Sequence, residues 1–429
     1  MLPTIVLPIL LSLVALRGDA PEGAVLDWLR QEAVPLTGCE PGKPDLGLAA
    51  LQSAFTKARV IGLGEATQGS HEFLRLKHKL VESLVANCGV TTIAMETSWP
   101  ETMALDHWVQ SGEGNAKTLL ADLHFWNVDT EEILAFVTWL RAWNADPSHA
   151  RKVRLVGVDV QLPAQSVAGV AEFLAHVAPE QVDRFIAVSA PLSDLTANMS
   201  YPRLAPADQD AVRAGLDEFA KKFDDERSKW VAASSDADCS LARRALEMVR
   251  RAEKTFRDPA YRDQAMAEGV RDALTDDGPD ARVAFWSHNV HVAAALPGSP
   301  VSPTGQYLRT WFGAKYLAMG FEFGRGAFVA VGPGKNGAPV LREFTLPAAP
   351  VGSVPAILDE VGKAVYVVDL RRAPTAGPVR AWLDAPARAH SIGGVFDPGQ
   401  ADAAFMAAPI AAQFDVIAFV RRTLSVKTL

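Results

Sequence analysis

Two hydrophobic periods alternate along this chain. Short, β-prone apolar runs recur near 59–63, 90–95, 153–158, 282–287, 315–323, 327–331, 364–369 and 414–419. Nearly continuous apolar runs of that length fit strands buried on both faces. Between most of them the apolar residues fall at helical spacing, which predicts helices at 68–87, 101–111, 130–144, 303–312 and 354–361. Strands alternating with helices predict an α/β fold of three layers, a central sheet flanked by helices. Residues 164–276 break the alternation. They are rich in Ala, Asp, Glu, Lys and Arg, place Val212, Leu216, Phe219 and Phe223 at helical spacing, and show no strand. The reading is an all-helical insertion (164–276) between a first part of the α/β domain (21–163) and a second part (277–429).

The first residues have another pattern. An apolar run from Leu2 to Leu16 is followed by Gly18 and Ala20 and then Pro21. That is the length of a signal-peptide core and short for a membrane span, so residues 1–20 are expected to be a signal peptide, although Lys and Arg are missing before the run. The protein is then periplasmic or secreted, with no stable membrane insertion. In that compartment Cys39 and Cys239, both in polar contexts, are candidates for a disulfide, while Cys88 reads as a buried small hydrophobe.

Composition narrows the function classes. With 429 residues the chain can bury a sizeable core, and its 49% hydrophobic and 21% charged content is that of a globular protein. A formal net charge of −8 argues against nucleic acid as a partner. No Gly-x-Ser-x-Gly elbow occurs, and His71-Glu72 is not followed by the second His of a zincin helix. Gly62-x-Gly64 lacks the third glycine of a dinucleotide loop, and Gly332-x-Gly334-x-x-Gly337 precedes a strand-like segment instead of a helix.

The polar residues that stand out sit where strands end. Glu65 follows the strand at 59–63, Glu96 ends the run TTIAME, and His288 and His291 bracket Asn289 after ARVAFWS. Open α/β sheets bind ligands at such carboxyl ends. Two close carboxylates raise one pKa, which suits acid–base work. The structural alternatives are a helix N-terminal charge for Glu65 and an ion pair of Glu96 with Lys77 or Arg75.

Several segments together resemble the erythromycin esterase family. Arg59–Glu101 is similar to its Gly-Glu-x-x-His-Gly loop, helix and Glu-ending strand; Trp126–Glu132 (WNVDTEE) and Gly157–Gln161 (GVDVQ) resemble two further motifs. Tyr261–Val270 (YRDQAMAEGV), Trp286–His291 (WSHNVH), Gly305–Gly324, His390–Pro398 and Phe414–Phe419 continue the likeness in order. The resemblance implies metal-independent hydrolysis of an ester by activated water, a macrolide lactone in the type case, with no cofactor. An antibiotic-resistance role follows from that type case. It also implies a polar core of Glu65, Glu96, His288 and His291, with Lys77 and Arg262 as supporting charge on the substrate side. The substrate is expected in a cleft between sheet and insertion.

One departure bears on activity. The family's base, a His, is here Gln68, whose amide does not titrate near neutral pH and can only orient water. His71, three residues on and expected on the same helical face, is the candidate replacement base; packing or capping is its structural alternative. Two other readings stay open: a non-hydrolytic binder of small molecules, and a metal-dependent hydrolase using Glu65, Glu96, His288 and His291.

Overall fold

The computed structural model describes residues 22–334 and 337–429; the expected signal peptide at 1–20 lies outside them. Eleven strands occur among the described residues: β1 (Val34–Pro35), β2 (Val60–Leu63), β3 (Thr92–Ser98), β4 (Arg154–Asp159), β5 (Val283–Trp286), β6 (Tyr316–Pro333), β7 (Pro339–Leu346), β8 (Val365–Asp369), β9 (Pro386–His390), β10 (Phe405–Pro409) and β11 (Val416–Thr423). The main sheet runs β1-β8-β11-β6-β2-β5-β3-β4, with β7 paired to β6. From β11 to β4 all neighbours are parallel, whereas β8 and β1 close one edge antiparallel.

Alternation along the strands divides the core. Ile61, Leu63, Ile93, Met95, Ala284 and Trp286 point into one layer, which includes the helices His71–Cys88 and Glu131–Ala145. Val60, Ala94, Val283 and Phe285 point into the other, with Glu22–Glu32, Tyr261–Asp276 and Thr304–Phe312. This is the three-layer α/β arrangement read from the sequence. The helices from Ala164 to Arg257 bury a third core of their own around Phe185, Phe219, Phe223 and Trp230. Tyr261–Asp276 instead lays Met266 and Val270 on the sheet, and so carries the chain back to β5.

Three local features differ from the expectation. The runs at 315–323 and 327–331 are one strand, β6, which leaves β11 at Gly326 and continues as a hairpin with β7. Gly326 has φ +139°, and a Cβ there would stand 2.2 Å from the Thr423 carbonyl oxygen, so glycine permits the bend. The helix expected at 68–87 begins at His71 and runs to Cys88. The residues before it form a turn at Gln68 and Gly69 between bridges of Thr67 to Ile392 and of Ser70 to Ser425. Tertiary hydrogen bonds pin that turn: Ile392 N–H donates to Ala66 O (2.7 Å), and Val329 and Val426 N–H donate to Gly69 O (3.0 and 3.1 Å). Finally, Cys39, Cys88 and Cys239 are all free and buried. Cys39 lies in the sheet core and Cys239 in the helical core, so the disulfide considered above does not form. Burial pushes the Cys39 thiol up to about 12. Among the described residues no helix is long and apolar enough to cross a membrane.

Candidate active site

The parallel strands deliver their polar residues to one end of the sheet. Glu96 sits where the β3–β4 register shifts between Met95 and Ser98 and meets Arg262 of the helix Tyr261–Asp276. Asp159 closes β4, and Ser287 and His288 follow β5. Above them lies a cavity of about 480 Å³ lined by Gln68, Glu96, Gln161, Arg262, His288 and His291. Its rim is two loops, His124–Asn127 and Ser391–Val395. The cavity lies between the strand ends and these loops, and only in part between sheet and insertion. Arg262, in the first turn of Tyr261–Asp276, comes from the region read as the insertion. A larger hollow of about 650 Å³ at the opposite ends of the strands, lined by Arg59, Cys88 and Arg282, holds none of the strand-end residues.

Arg262 is the hub. Its Nε and Nη2 grip Asp159 Oδ1 and Oδ2 (3.1 and 2.7 Å), Nη2 also donates to Glu96 Oε1 (2.9 Å), and Nη1 lies 3.3 Å from His291 Nε2. Such a forked pair fixes direction as well as charge. Glu96 Oε2 accepts from Ser287 Oγ (2.6 Å) and the His288 N–H (3.1 Å). Burial acts to raise its pKa, but His291, Arg262 and those hydrogen bonds hold Glu96 well below the usual carboxylate range. It is an anion, not an acid catalyst.

The two histidines are set apart by their surroundings. His291 Nδ1 bonds Asp263 Oδ1 (2.7 Å), which is held by Thr304 N–H and Oγ1 (both 2.8 Å). Burial works against its charge, yet the Glu96 and Asp263 carboxylates outweigh both burial and Arg262 and raise its pKa. His288 donates from Nε2 to Ile392 O (3.1 Å) and accepts the Val290 N–H at Nδ1 (3.2 Å). Burial and its cationic neighbour His291 push it down to about 4, so it is neutral. The surroundings thus push the two pKa values apart, favouring the charged form of His291 and the neutral form of His288.

Other predicted site residues lie elsewhere. Glu65 and Lys77 do not line the cavity. They form a pair beneath it, Lys77 Nζ to Glu65 Oε2 at 2.7 Å, and Lys77 Nζ also donates to Ser287 O at 3.0 Å. Their side chains are 4% and 0% exposed, and burial pushes Glu65 up and Lys77 down, both toward the neutral forms. Lys77 is therefore a support for the strand end and not a substrate contact. His71 is also displaced. It does not share a helical face with Gln68, because the helix starts at His71, and its ring bonds Glu132 (2.6 Å) and approaches Glu40 (3.5 Å). The hydrogen bond to Glu132 raises its pKa, and it is not on the cavity wall.

Gln68 does line the cavity, its Oε1 against Gly394. Among the described residues no group of three or more His, Cys, Asp or Glu side chains is placed to hold a metal ion. Glu96 faces Arg262 and Ser287, Glu65 faces Lys77, and the four residues of the metal reading do not converge. Asp159, Gln161, Asp263 and Trp126 were not singled out from sequence, although each lies in or beside a motif quoted above; their partners are set by how Tyr261–Asp276 docks on the sheet.

A sequence model of the erythromycin esterase family matches residues 85–423. The chain belongs to this family. The match begins after the loop bearing Glu65 and Gln68, so the correspondence of Gln68 with the family base rests on the loop motif. An Escherichia coli erythromycin esterase type I is 24% identical over 362 residues, covering 77% of this chain and 84% of that protein. Two solved structures share the fold. A succinoglycan biosynthesis protein superposes with a TM-score of 0.81 at 24% identity, covering 96% of this chain and all of that one. A mutant of the erythromycin esterase EreC in its open conformation gives 0.70 at 17%, covering 91% and 97%.

Proposed function

We propose that this family member is a hydrolase of carboxylic esters, a macrolide lactone or another ester, that works by attack of water and needs no metal. The observation that carries the reading is the cavity floor, where the Arg262 cation and His291, whose charged form is favoured, are locked in place by Asp159, Glu96 and Asp263. Fixed cations at a water-accessible wall are suited to a carbonyl oxygen that gains negative charge as the tetrahedral intermediate forms. Neutral His288 and the amide of Gln68 add orientation without charge. Because the floor is preorganised, little rearrangement accompanies the reaction.

The test is incubation of purified protein with erythromycin and with a panel of simple activated esters, followed by mass spectrometry for addition of one water. Turnover of any member supports the reading; a folded protein that turns over none refutes it. A second reading is favoured by one observation: the residue on the cavity wall that the loop resemblance aligns with the family's base is the amide Gln68. In that case the cavity binds a small molecule without cleaving it, and Gln68→His confers turnover that the natural protein lacks. We also propose that the protein is exported to the periplasm or beyond, on the strength of the apolar run Leu2–Leu16. Finding Met1 retained on protein from its native host would overturn export.

A further inference from the structure

A hydrolase of this kind must move a proton from water, and the position that does so in the family cannot. The cavity wall contains three histidines, His124, His288 and His291. Two are already committed. His288 uses both ring nitrogens, one to Ile392 O and one to Val290 N–H, and its displacement to about 4 makes it a poor proton acceptor. His291 is clamped by Asp263 and faces Glu96 and Arg262, which favours its charged form.

His124 is different. Its ring makes no hydrogen bond or ion pair with any described residue, and it is exposed at the cavity rim. Its backbone has φ +59°, the one positive φ outside glycine among the described residues. That conformation is uncommon for a residue with a side chain and concentrates at functional sites. It is held by the N–H of His124 donating to Ala121 O (3.0 Å) at the end of the helix Ala116–Ala121. The loop also faces Gln68. A Cβ at Gly394 would lie 3.0 Å from Gln68 Oε1 and 3.6 Å from Nε1 of Trp126, two residues beyond His124.

Resting on the hydrolase reading above, we propose that His124 is the general base of this site, acting across the cavity from Gln68. Gln68 Oε1 accepts one hydrogen bond from the water, and the other water proton passes to the His124 imidazole. The water oxygen bonds the ester carbon while the carbonyl π pair moves onto oxygen, facing Arg262 and His291. Collapse re-forms the C=O bond and expels the alkoxide, which takes the proton back from the imidazolium. Ester and water have become acid and alcohol, and His124 is again neutral. The titratable or charged groups that share the cavity with it are Glu96, Arg262, His288 and His291, each already bonded to a partner.

The experiment compares the full chain with His124→Asn, Gln68→His and the double variant on the same ester panel, reading kcat/KM as a function of pH. Asn tolerates positive φ, so the loop conformation is kept while the proton acceptor is removed. The expected result is a loss of about 10²–10⁴-fold in His124→Asn, with the acidic limb of the pH profile abolished. Recovery is expected when Gln68→His is added. An unchanged rate and profile in His124→Asn would overturn the proposal while leaving ester hydrolysis standing. A silent natural protein that gains turnover through Gln68→His alone would overturn it too, in favour of the binding reading. Silence of all four proteins would overturn the hydrolase reading itself, and His124 as its base along with it.

Discussion

Lys77→Met is the sharpest probe of how the strand ends are held. Lys77 has no exposed side-chain surface, and its partner Glu65 has 4%. The ammonium makes one ionic and one carbonyl hydrogen bond, and also lies over the rings of Trp286 and Phe321 (5.1 and 5.9 Å). Removing it leaves a buried carboxylate with no counter-charge, which costs about 3–5 kcal/mol in comparable cases. Methionine preserves most of the apolar stem, so packing loss adds little. The assay is chemical denaturation of Lys77→Met beside Glu65→Leu/Lys77→Met, in which neither charge remains. The double variant is expected to regain more than half of the loss, because replacing a buried pair by apolar groups is often close to neutral. pH provides an internal check. Without Lys77 the Glu65 pKa, already raised by burial, rises further. A carboxyl whose folded pKa exceeds its unfolded value binds more protons when folded, so stability falls as pH rises between those two values. The deficit of Lys77→Met must therefore shrink on acidification. A loss under about 1 kcal/mol would refute the reasoning, as would a double variant no more stable than the single one.

Other predictions follow from the same geometry. His291 has a raised folded pKa, so its contribution to stability is complete below the unfolded pKa and disappears as pH rises through the folded one. Asp263→Asn should reduce that decline and move it to lower pH in denaturation curves taken across the neutral range; an unaltered pH profile would show that Asp263 is not the controlling partner. Gly69→Ala should cost about 1–3 kcal/mol by overpacking, since its Cβ would stand 1.9 Å from the Val329 carbonyl oxygen; a wild-type denaturation midpoint would contradict the close approach. Thiol titration without reductant should find little reaction in the native protein and three thiols after denaturation; one thiol in denaturant would mean that a disulfide exists after all.

The sheet was legible because its strands are short apolar runs, and β2 and β5 are buried at every position. Glu96, His288 and His291 were legible for the same reason, as polar residues standing where such runs stop. The start of the helix His71–Cys88 was not. The sequence after Glu65 has helical composition, but tertiary hydrogen bonds to Ala66 and Gly69 hold it as a turn outside the helix. That displacement removed the shared face on which the case for His71 rested. The pairs Asp159–Arg262 and Asp263–His291 join residues 103 and 28 positions apart, and no local pattern signals them. β1, of two residues, and the small sheet of β9 and β10 likewise depend on pairing, not on their own periodicity. His124 lies in an exposed loop, where neither period applies.

The arrangement also explains how a change at the base position is compatible with an intact site. Glu96, Asp159, Arg262, Asp263 and His291 bond chiefly to one another and to backbone or hydroxyl groups near the strand ends. None of them bonds to Gln68. The charged floor therefore keeps its geometry whichever residue occupies position 68. Gln68 belongs instead to the wall formed with the loops His124–Asn127 and Ser391–Val395. Loops accept substitution at low cost to the core and carry function on a rigid scaffold. In the proposed reading a proton acceptor can accordingly move from one side of that wall to the other without disturbing Arg262 and His291 on the floor. In that same reading the floor fixes the class of bond that can be attacked, while the wall decides how water is activated and which substrate fits.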